Sequence, residues 1–352
     1  MHYQFQFRPY RRRFVRSLTT SHGVWDTREG IILKLTDDLG KVGWGEIAPI
    51  SWFGSENLEQ ALLFCRQLPE IVTDETIFSI PDELPACQFG FESAVWGVGS
   101  REWRVGKHQG VGNEEAGEDN STLSSLSLNP KSKIQNPKSL TYSALLPAGE
   151  EALEVWQTLW QQGDRTFKWK IGVYPVAEEL RIFQRLAQTL PSLTKLRLDA
   201  NGGLSYEEAN LWLWTCDNVK ANSTLTVEIE FIEQPLSVDK FDSMLELSYC
   251  YNTAIALDES VATFNQLKTC YQKGWRGIFV IKPGIVGSPS RLRQFCWECE
   301  VDAVFSSVFE TSIGRKAALQ LAVELSRHNR ALGFGVNHFF AEEEEIWLKN
   351  LW

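Results

Sequence analysis

The sequence predicts an α/β protein in which a closed (β/α) barrel follows a smaller N-terminal α+β unit. Three observations predict it. From residue 140 onward, short β-rich runs alternate with helical stretches, which implies a parallel sheet. About eight such runs fall within roughly 200 residues, the proportion of a closed barrel rather than an open sheet. None is followed by the Gly-rich fingerprint of a dinucleotide-binding doubly wound sheet.

The elements follow in order. Residues 1–105 read as the α+β unit. "HYQFQFRPY" and "GIILKLTDD" have strand patterning, and "DDLGKVGWGEIAP" reads as a hairpin with a Gly-bearing turn. "SENLEQALLFCRQL" spaces its apolar residues as a helix does, with Ser55 placed to cap it. "FGFESAVWGV" reads as a second helix despite its glycines. Residues 106–139 are rich in Gly, Ser, Asn and Pro, contain no Phe, Trp or Tyr, and repeat NPKS. Such a stretch cannot bury enough apolar surface to offset chain entropy, so it reads as a low-complexity insertion or linker. The barrel runs are "LTYSALL", "TFKWKIGV", "KLRLDANG", "TVEIEFIEQP", "AIALDES", "GIFVIKPG" and "DAVFSSVFE" within residues 140–330. The last, "ALGFGVNHFF", opens a segment, 331–352, expected to complete the barrel and pack back toward the N-terminal unit. "AEELRIFQRLAQTL" and "KAALQLAVELSRH" are among the helices between them.

A formal net charge of −10 argues against a general nucleic-acid or anionic-membrane binder. No apolar stretch approaches the length of a membrane-spanning helix. The first 25 residues lack acids and carry five arginines, as a transit peptide does, but the period-two alternation of "HYQFQF" favours a structural strand. Seven cysteines without a pairing pattern fit a reducing cytosol, so a cytoplasmic location is expected. Cys296 and Cys299 lack a second CxxC or an HxxxH and read as structural residues of a helix.

Ionisable residues sit near the carboxyl ends of the strand-like runs, where a parallel barrel builds its active site. Lys168 and Lys170 lie on the second run, Arg197 and Asp199 on the third, Glu233 on the fourth, Asp258 and Glu259 on the fifth, and Lys282 on the sixth. Because successive side chains alternate faces, Lys168 and Lys170 share one face, opposite Phe167, Trp169 and Ile171. A single strand-end acid is usually a solvated charge. Asp199, Glu233 and Asp258, at matching positions in consecutive βα units, are harder to read that way. Buried together they would repel one another, and a divalent cation removes that repulsion. All-oxygen ligands suit a hard ion, so Mg²⁺ is preferred over Zn²⁺.

A hard cation flanked by lysines suits abstraction of a proton alpha to a carboxylate, whose two oxygens then gather negative charge. Free lysine titrates near 10.4, too high for a base at neutral pH. A neighbouring ammonium and cation favour its neutral form. One lysine of the KxK pair then tunes the other.

"FKWKIG", "LRLDANGG", "FIEQPL", "ALDES" and "VIKPGIVG" occur in the order and spacing of the enolase superfamily, which the chain resembles throughout except at 106–139. A lysine on each side of the site resembles the muconate-lactonizing subgroup. "FRPYRRRF", "TSHGVWDTREGIIL", "GEIAPISWFGSENLE" and "SSVFETSIG" look like the o-succinylbenzoate synthase family, its cyanobacterial members above all. The resemblance implies an enolase-type (β/α)7β modified TIM barrel under an N-terminal α+β capping domain. It implies a Mg²⁺-dependent lyase of menaquinone or phylloquinone biosynthesis acting on a small-molecule carboxylate, with Mn²⁺ as a substitute metal and no nucleic-acid or membrane partner. It makes Asp199, Glu233 and Asp258 the metal ligands, Lys170 the base and then the acid, Lys168 its tuner, and Lys282 the stabiliser of an enediolate across the ring.

The capping domain is expected to close the mouth through the segment around His22–Arg28 and the loop Ile50–Gly54. Trp52 and Phe53 read equally well as an apolar lid over the substrate or as interdomain packing. Ser306, Ser307 and Gly333 are candidates to hold the substrate's succinyl carboxylate through backbone N–H groups. Arg197 either joins them or orients the metal carboxylates. The same metal and lysines would equally serve an N-succinylamino acid racemase or a dipeptide epimerase. A non-catalytic ligand-binding barrel is a remoter alternative, since every expected chemical position is filled.

Overall fold

The structure, a computed structural model, describes residues 1–20, 23–99, 140–335, 340 and 344–352. The expected insertion at 106–139 and His22 lie outside the described residues. The N-terminal unit is an antiparallel sheet, order β3-β2-β1-β4, of β1 (His2–Thr20), β2 (Gly23–Asp37), β3 (Val42–Ile47) and β4 (Ile71–Thr73). Three helices accompany it: α1 (Leu58–Gln67), α2 (Asp74–Phe78) and α3 (Pro85–Val98). Alternate residues Tyr3, Phe5, Ile31, Leu33, Leu35 and Ile47 form a core with Ala61, Cys65, Phe91 and Ala94 of the helices.

Helix α1 starts later than expected. Asn57, not Ser55, caps it, in a reciprocal capping box with Gln60 at 2.9 Å in both directions. The Ser55 hydroxyl instead accepts the Ile50 N–H at 2.7 Å and so closes the loop that carries Trp52 and Phe53.

Helix α3 is buried on nearly every side because the sheet flanks it on one side and the barrel on the other. Glycines in both elements permit this. A Cβ on Gly45 would lie 2.0 Å from the Gly90 carbonyl oxygen, a backbone atom with no room to yield. Gly45→Ala is therefore expected to destabilise the protein by about 3 kcal/mol or more, read as a lowered thermal midpoint.

The second unit is a parallel sheet of β5 (Ser143–Leu146), β6 (Thr166–Lys170), β7 (Lys195–Asp199), β8 (Glu228–Glu233), β9 (Ile255–Leu257), β10 (Ile278–Ile281) and β11 (Ala303–Phe305). Leu332 bridges Tyr142, and Gly333 bridges Ser306, both in parallel, closing the ring between β11 and β5. The expected eighth strand is thus a two-residue closure among the described residues.

Helices α4 (Ala152–Gln162), α5 (Val176–Thr189), α6 (Tyr206–Ala221), α7 (Phe241–Cys250), α8 (Phe264–Gln272), α9 (Pro283–Val286), α10 (Pro289–Cys299) and α11 (Ser312–Leu325) follow the strands in turn. Outward-facing Phe167, Trp169, Leu196, Leu198, Ile229 and Ile232 pack on helix residues such as Phe183, Trp212 and Leu213. Phe231, Ala256, Ile278, Val280 and Val304 form a separate apolar plug. A register shift opposite Leu196 and Arg197 makes Glu230 the extra residue of a bulge in β8.

Helix α12 (Glu344–Leu351) returns to the first unit, where Trp347 meets Tyr10 edge-on at 5.3 Å and Trp352 meets Trp44 at 4.9 Å. Among the described residues no helix is long and apolar enough to cross a membrane. All seven cysteines are free thiols, with Cys296 buried in α10.

Candidate active site

Strand register assembles the predicted charges. Lys170 pairs with Asp199 across β6 and β7, Asp199 with Glu233 across β7 and β8, and Glu233 with Ala256 of β9. Asp258 lies two residues beyond Ala256, so the three carboxylates stand at one end of the barrel on the inner face. All three are buried. They line a cavity of about 440 Å³ together with Lys168, Lys170, Arg197 and Lys282.

The lysines do not behave alike. Lys168 Nζ lies 2.8 Å from Asp199 Oδ2 and 2.7 Å from Glu233 Oε1. Burial alone would disfavour its charge, but Asp199, Glu233 and Asp258 outweigh that and hold its pKa above the ordinary lysine value. Lys282 is hydrogen-bonded to Asp258 Oδ1 and sits 4.0 Å from the centre of the Phe53 ring. Lys170 shares the inner face with Lys168. Among the described residues no ion pair is seen for it.

Burial, then the charge of Asp199, drives the Glu233 pKa up against the pull of Lys168. Asp258 is raised by burial against Lys282, and Glu259 adds to the rise. This mutual repulsion is what a divalent cation relieves. The donor set fits a hard ion: three carboxylates, buried, on adjacent strands and one face. Among the described residues the acids do not form a closed coordination cage. Asp199 and Glu233 turn to Lys168, and Asp258 turns to Lys282.

Neighbouring groups hold these side chains in place. Gln234 is fully buried, and its Oε1 accepts the N–H groups of Asp258 and Ser260 at 3.0 and 3.2 Å. Its φ of +38° is strained for a non-glycine residue. Glu179 accepts the N–H groups of Gly172, Val173 and Tyr174 at 2.8–3.0 Å, which orders the turn directly after Lys170. Asn201 bridges Asp199 and Glu259 through its backbone N–H and its side chain.

The candidate substrate residues separate. Trp52 and Phe53 line the cavity from the capping side, and Trp52 meets Trp25 edge-on at 5.1 Å. Arg197 lines the wall, but its Nε donates to Glu230 Oε2 at 2.7 Å, and Arg330 donates to the other oxygen of that acid. Among the described residues, one Arg197 nitrogen, Nη2, is buried with no hydrogen-bond partner.

Ser306, Ser307 and Gly333 also line the cavity, but the expectation that their N–H groups bind carboxylate is corrected. Those groups donate to Ile281, Gly333 and Phe305 carbonyls at 2.8–3.0 Å. Closing the ring on so short an eighth strand uses the Ser307 and Gly333 donors, and the pairing of β11 with β10 uses that of Ser306.

Among the cavity residues that sequence reasoning did not single out are Trp25 and Phe309. Trp25 stands at the centre of an aromatic cluster with Phe14, Trp52 and Phe309. It lies within the segment around His22–Arg28 that is expected to close the mouth, though that expectation does not single out this residue. Phe309 lies beyond β11 with φ +60°, a conformation bulky residues rarely adopt and no local pattern announces.

Comparisons with known proteins agree with this geometry. Residues 151–348 match the family described as Enolase C-terminal domain-like. Residues 13–97 match that described as MenC, N-terminal domain. The chain is 38% identical to an o-succinylbenzoate synthase of Thermosynechococcus vestitus, over 96% of this chain and 93% of that one. A crystal structure of o-succinylbenzoate synthase from Thermosynechococcus elongatus BP-1, complexed with Mg in the active site, superposes with a TM-score of 0.81 at 36% identity. The match covers 98% of this chain and 99% of that one. An L-Ala-D/L-Glu epimerase from Bacillus subtilis shares the fold, with a TM-score of 0.66 at 20% identity over 96% and 90% of the two chains.

Proposed function

The chain belongs to the o-succinylbenzoate synthase family of the enolase superfamily, and from that membership we propose that it is a carbon–oxygen lyase making 2-succinylbenzoate. The substrate is 2-succinyl-6-hydroxy-2,4-cyclohexadiene-1-carboxylate, and the step belongs to menaquinone or phylloquinone biosynthesis. Mg²⁺ is the cofactor, held by Asp199, Glu233 and Asp258. When bound, it stabilises the negative charge that develops on the substrate carboxylate as the alpha proton leaves.

The chain's own groups do the rest. Lys170 removes the alpha proton and then delivers a proton to the departing hydroxyl on the same face, a syn elimination. Lys168, held as an ammonium by Asp199 and Glu233, is committed to those acids, which leaves Lys170 as the amine of this strand face that works on the substrate. Lys282 faces the ring from the opposite wall and stabilises the enediolate, while Phe53 packs on its ammonium. Trp52 and Phe53 exclude water from above. Aromatisation supplies the driving force.

One observation carries this reading: of two lysines on one strand face, Lys168 is ion-paired to two acids, whereas for Lys170 no ion pair is seen among the described residues. The test is turnover of the cyclohexadiene carboxylate with and without Mg²⁺, run beside a racemisation assay on N-succinyl amino acids. Dehydration that requires Mg²⁺ is expected. Racemisation without dehydration would overturn the reading.

A further inference from the structure

The capping domain does more than cover the barrel mouth. Glu46, in β3, is fully buried, and its carboxylate crosses to the barrel. It accepts the backbone N–H of Thr311, 265 residues away, at 3.0 and 2.9 Å, and that of Gly314 at 2.9 Å. The Thr311 hydroxyl and the Tyr10 hydroxyl also donate to it, each at 2.5 Å. Thr311 is the N-cap of α11 but makes no side-chain cap of its own. A carboxylate from another domain therefore supplies the cap and the negative charge that the helix N-terminus favours.

A second observation shows that the place is built for it. A Cβ on Gly314 would lie 2.7 Å from Glu46 Oε2, so the helix has a glycine where the carboxylate enters.

The capped helix begins where the cavity wall ends. Ser306, Ser307 and Phe309 line the cavity, and Thr311 follows two residues after Phe309. Phe309 is held at φ +60°, with its N–H on Ser307 Oγ at 2.9 Å. Glu310 accepts the Ser307 hydroxyl and the Val308 N–H at 2.9 and 2.6 Å. On its cavity side the Phe309 ring meets Trp25 of the capping domain at 5.4 Å. The strained turn is thus held at both ends, and Glu46 anchors the end that leads into α11.

We propose that Glu46 is a positioning residue for the reaction: by capping α11 from the capping domain, it sets the Ser306–Phe309 wall and the Phe309 ring against the substrate. The barrel wall is then completed only when the capping domain is docked. This rests on the lyase reading for its kinetic consequence, but not for its structural one.

The experiment compares the full-length protein with Glu46→Gln, and with Thr311→Val as a milder variant should the first fold poorly. Hydrogen exchange should accelerate about ten- to a hundredfold at the Thr311 and Gly314 amides, the loss expected for a charge-assisted bond, and remain unchanged in β7–β9. KM should rise about tenfold or more, with kcat and Mg²⁺ affinity changed less than about threefold. Unchanged exchange at Thr311 and Gly314 overturns the proposal. So does faster exchange with an unchanged KM, which would make Glu46 merely structural, and so does a parallel fall in Mg²⁺ affinity and kcat. If the unmodified protein turns over no cyclohexadiene carboxylate, the lyase reading has failed, and the exchange data still decide whether Glu46 holds the wall.

Discussion

Lys170→Ala is expected to lower kcat by about 10²–10⁴-fold or more, the range for a lost acid–base group, while Mg²⁺ binding persists. The reason lies in the division of labour along β6. Lys168 is held by two carboxylates, so its lone pair is committed to a proton. Lys170 lies one residue pair nearer the mouth, in register with Asp199. Removing it leaves the proposed metal ligands and their Lys168 counter-charge intact. The check is steady-state turnover beside calorimetric Mg²⁺ titration of the same protein. Turnover within threefold of the unmodified protein would sink the assignment. A loss of metal binding would instead place Lys170 in the carboxylate network.

Glu233→Gln should abolish detectable turnover and weaken Mg²⁺ binding by more than the roughly 10–100-fold that loss of an outer-shell partner costs, because the proposed ligand itself is removed. Glu233 is the middle member of the three, paired in register with Asp199 and bonded to Lys168. The fold should survive, since the amide keeps the shape and relieves the crowding of buried acids around Lys168. Thermal melting separates these effects. In the unmodified protein, Mg²⁺ at a hundred times its Kd should add about 2.7 kcal/mol of stability. In Glu233→Gln the same concentration should add far less, with the metal-free midpoint unchanged or raised. An undiminished Mg²⁺-dependent shift would remove Glu233 from the ligand set.

How far the site could be read from sequence depended on what kind of geometry each residue obeys. Lys168, Lys170, Asp199, Glu233, Asp258 and Lys282 were legible because period-two alternation and strand-end position are local properties. Ser306, Ser307 and Gly333 were legible as cavity residues, but their N–H groups were not legible as already used. That depended on the eighth strand shrinking to Leu332 and Gly333, so that single bridges carry the ring closure. Arg197 shared a face with Asp199 as expected, yet its main partner is Glu230, which a bulge in β8 inserts into the register. Alternation read from sequence passes over a bulge because it assumes one residue per step. The cap of α1 slipped from Ser55 to Asn57 for a related reason: both side chains can cap, and the Gln60 reciprocal bond chose between them.

By itself the sequence determined the barrel, the inner-face charges and the chemistry they imply. Strand periodicity and the cost of burying like charges operate over a few residues and need no distant partner. Only the tertiary structure decided which lysine is bound by acids, which backbone donors remain free, and that Glu46 of one domain caps a helix of the other. Those outcomes depend on hydrogen-bond partners up to 268 residues apart. A carboxylate reads the same in sequence whether it meets solvent, an ammonium or a helix end, and only its surroundings in the fold distinguish the three.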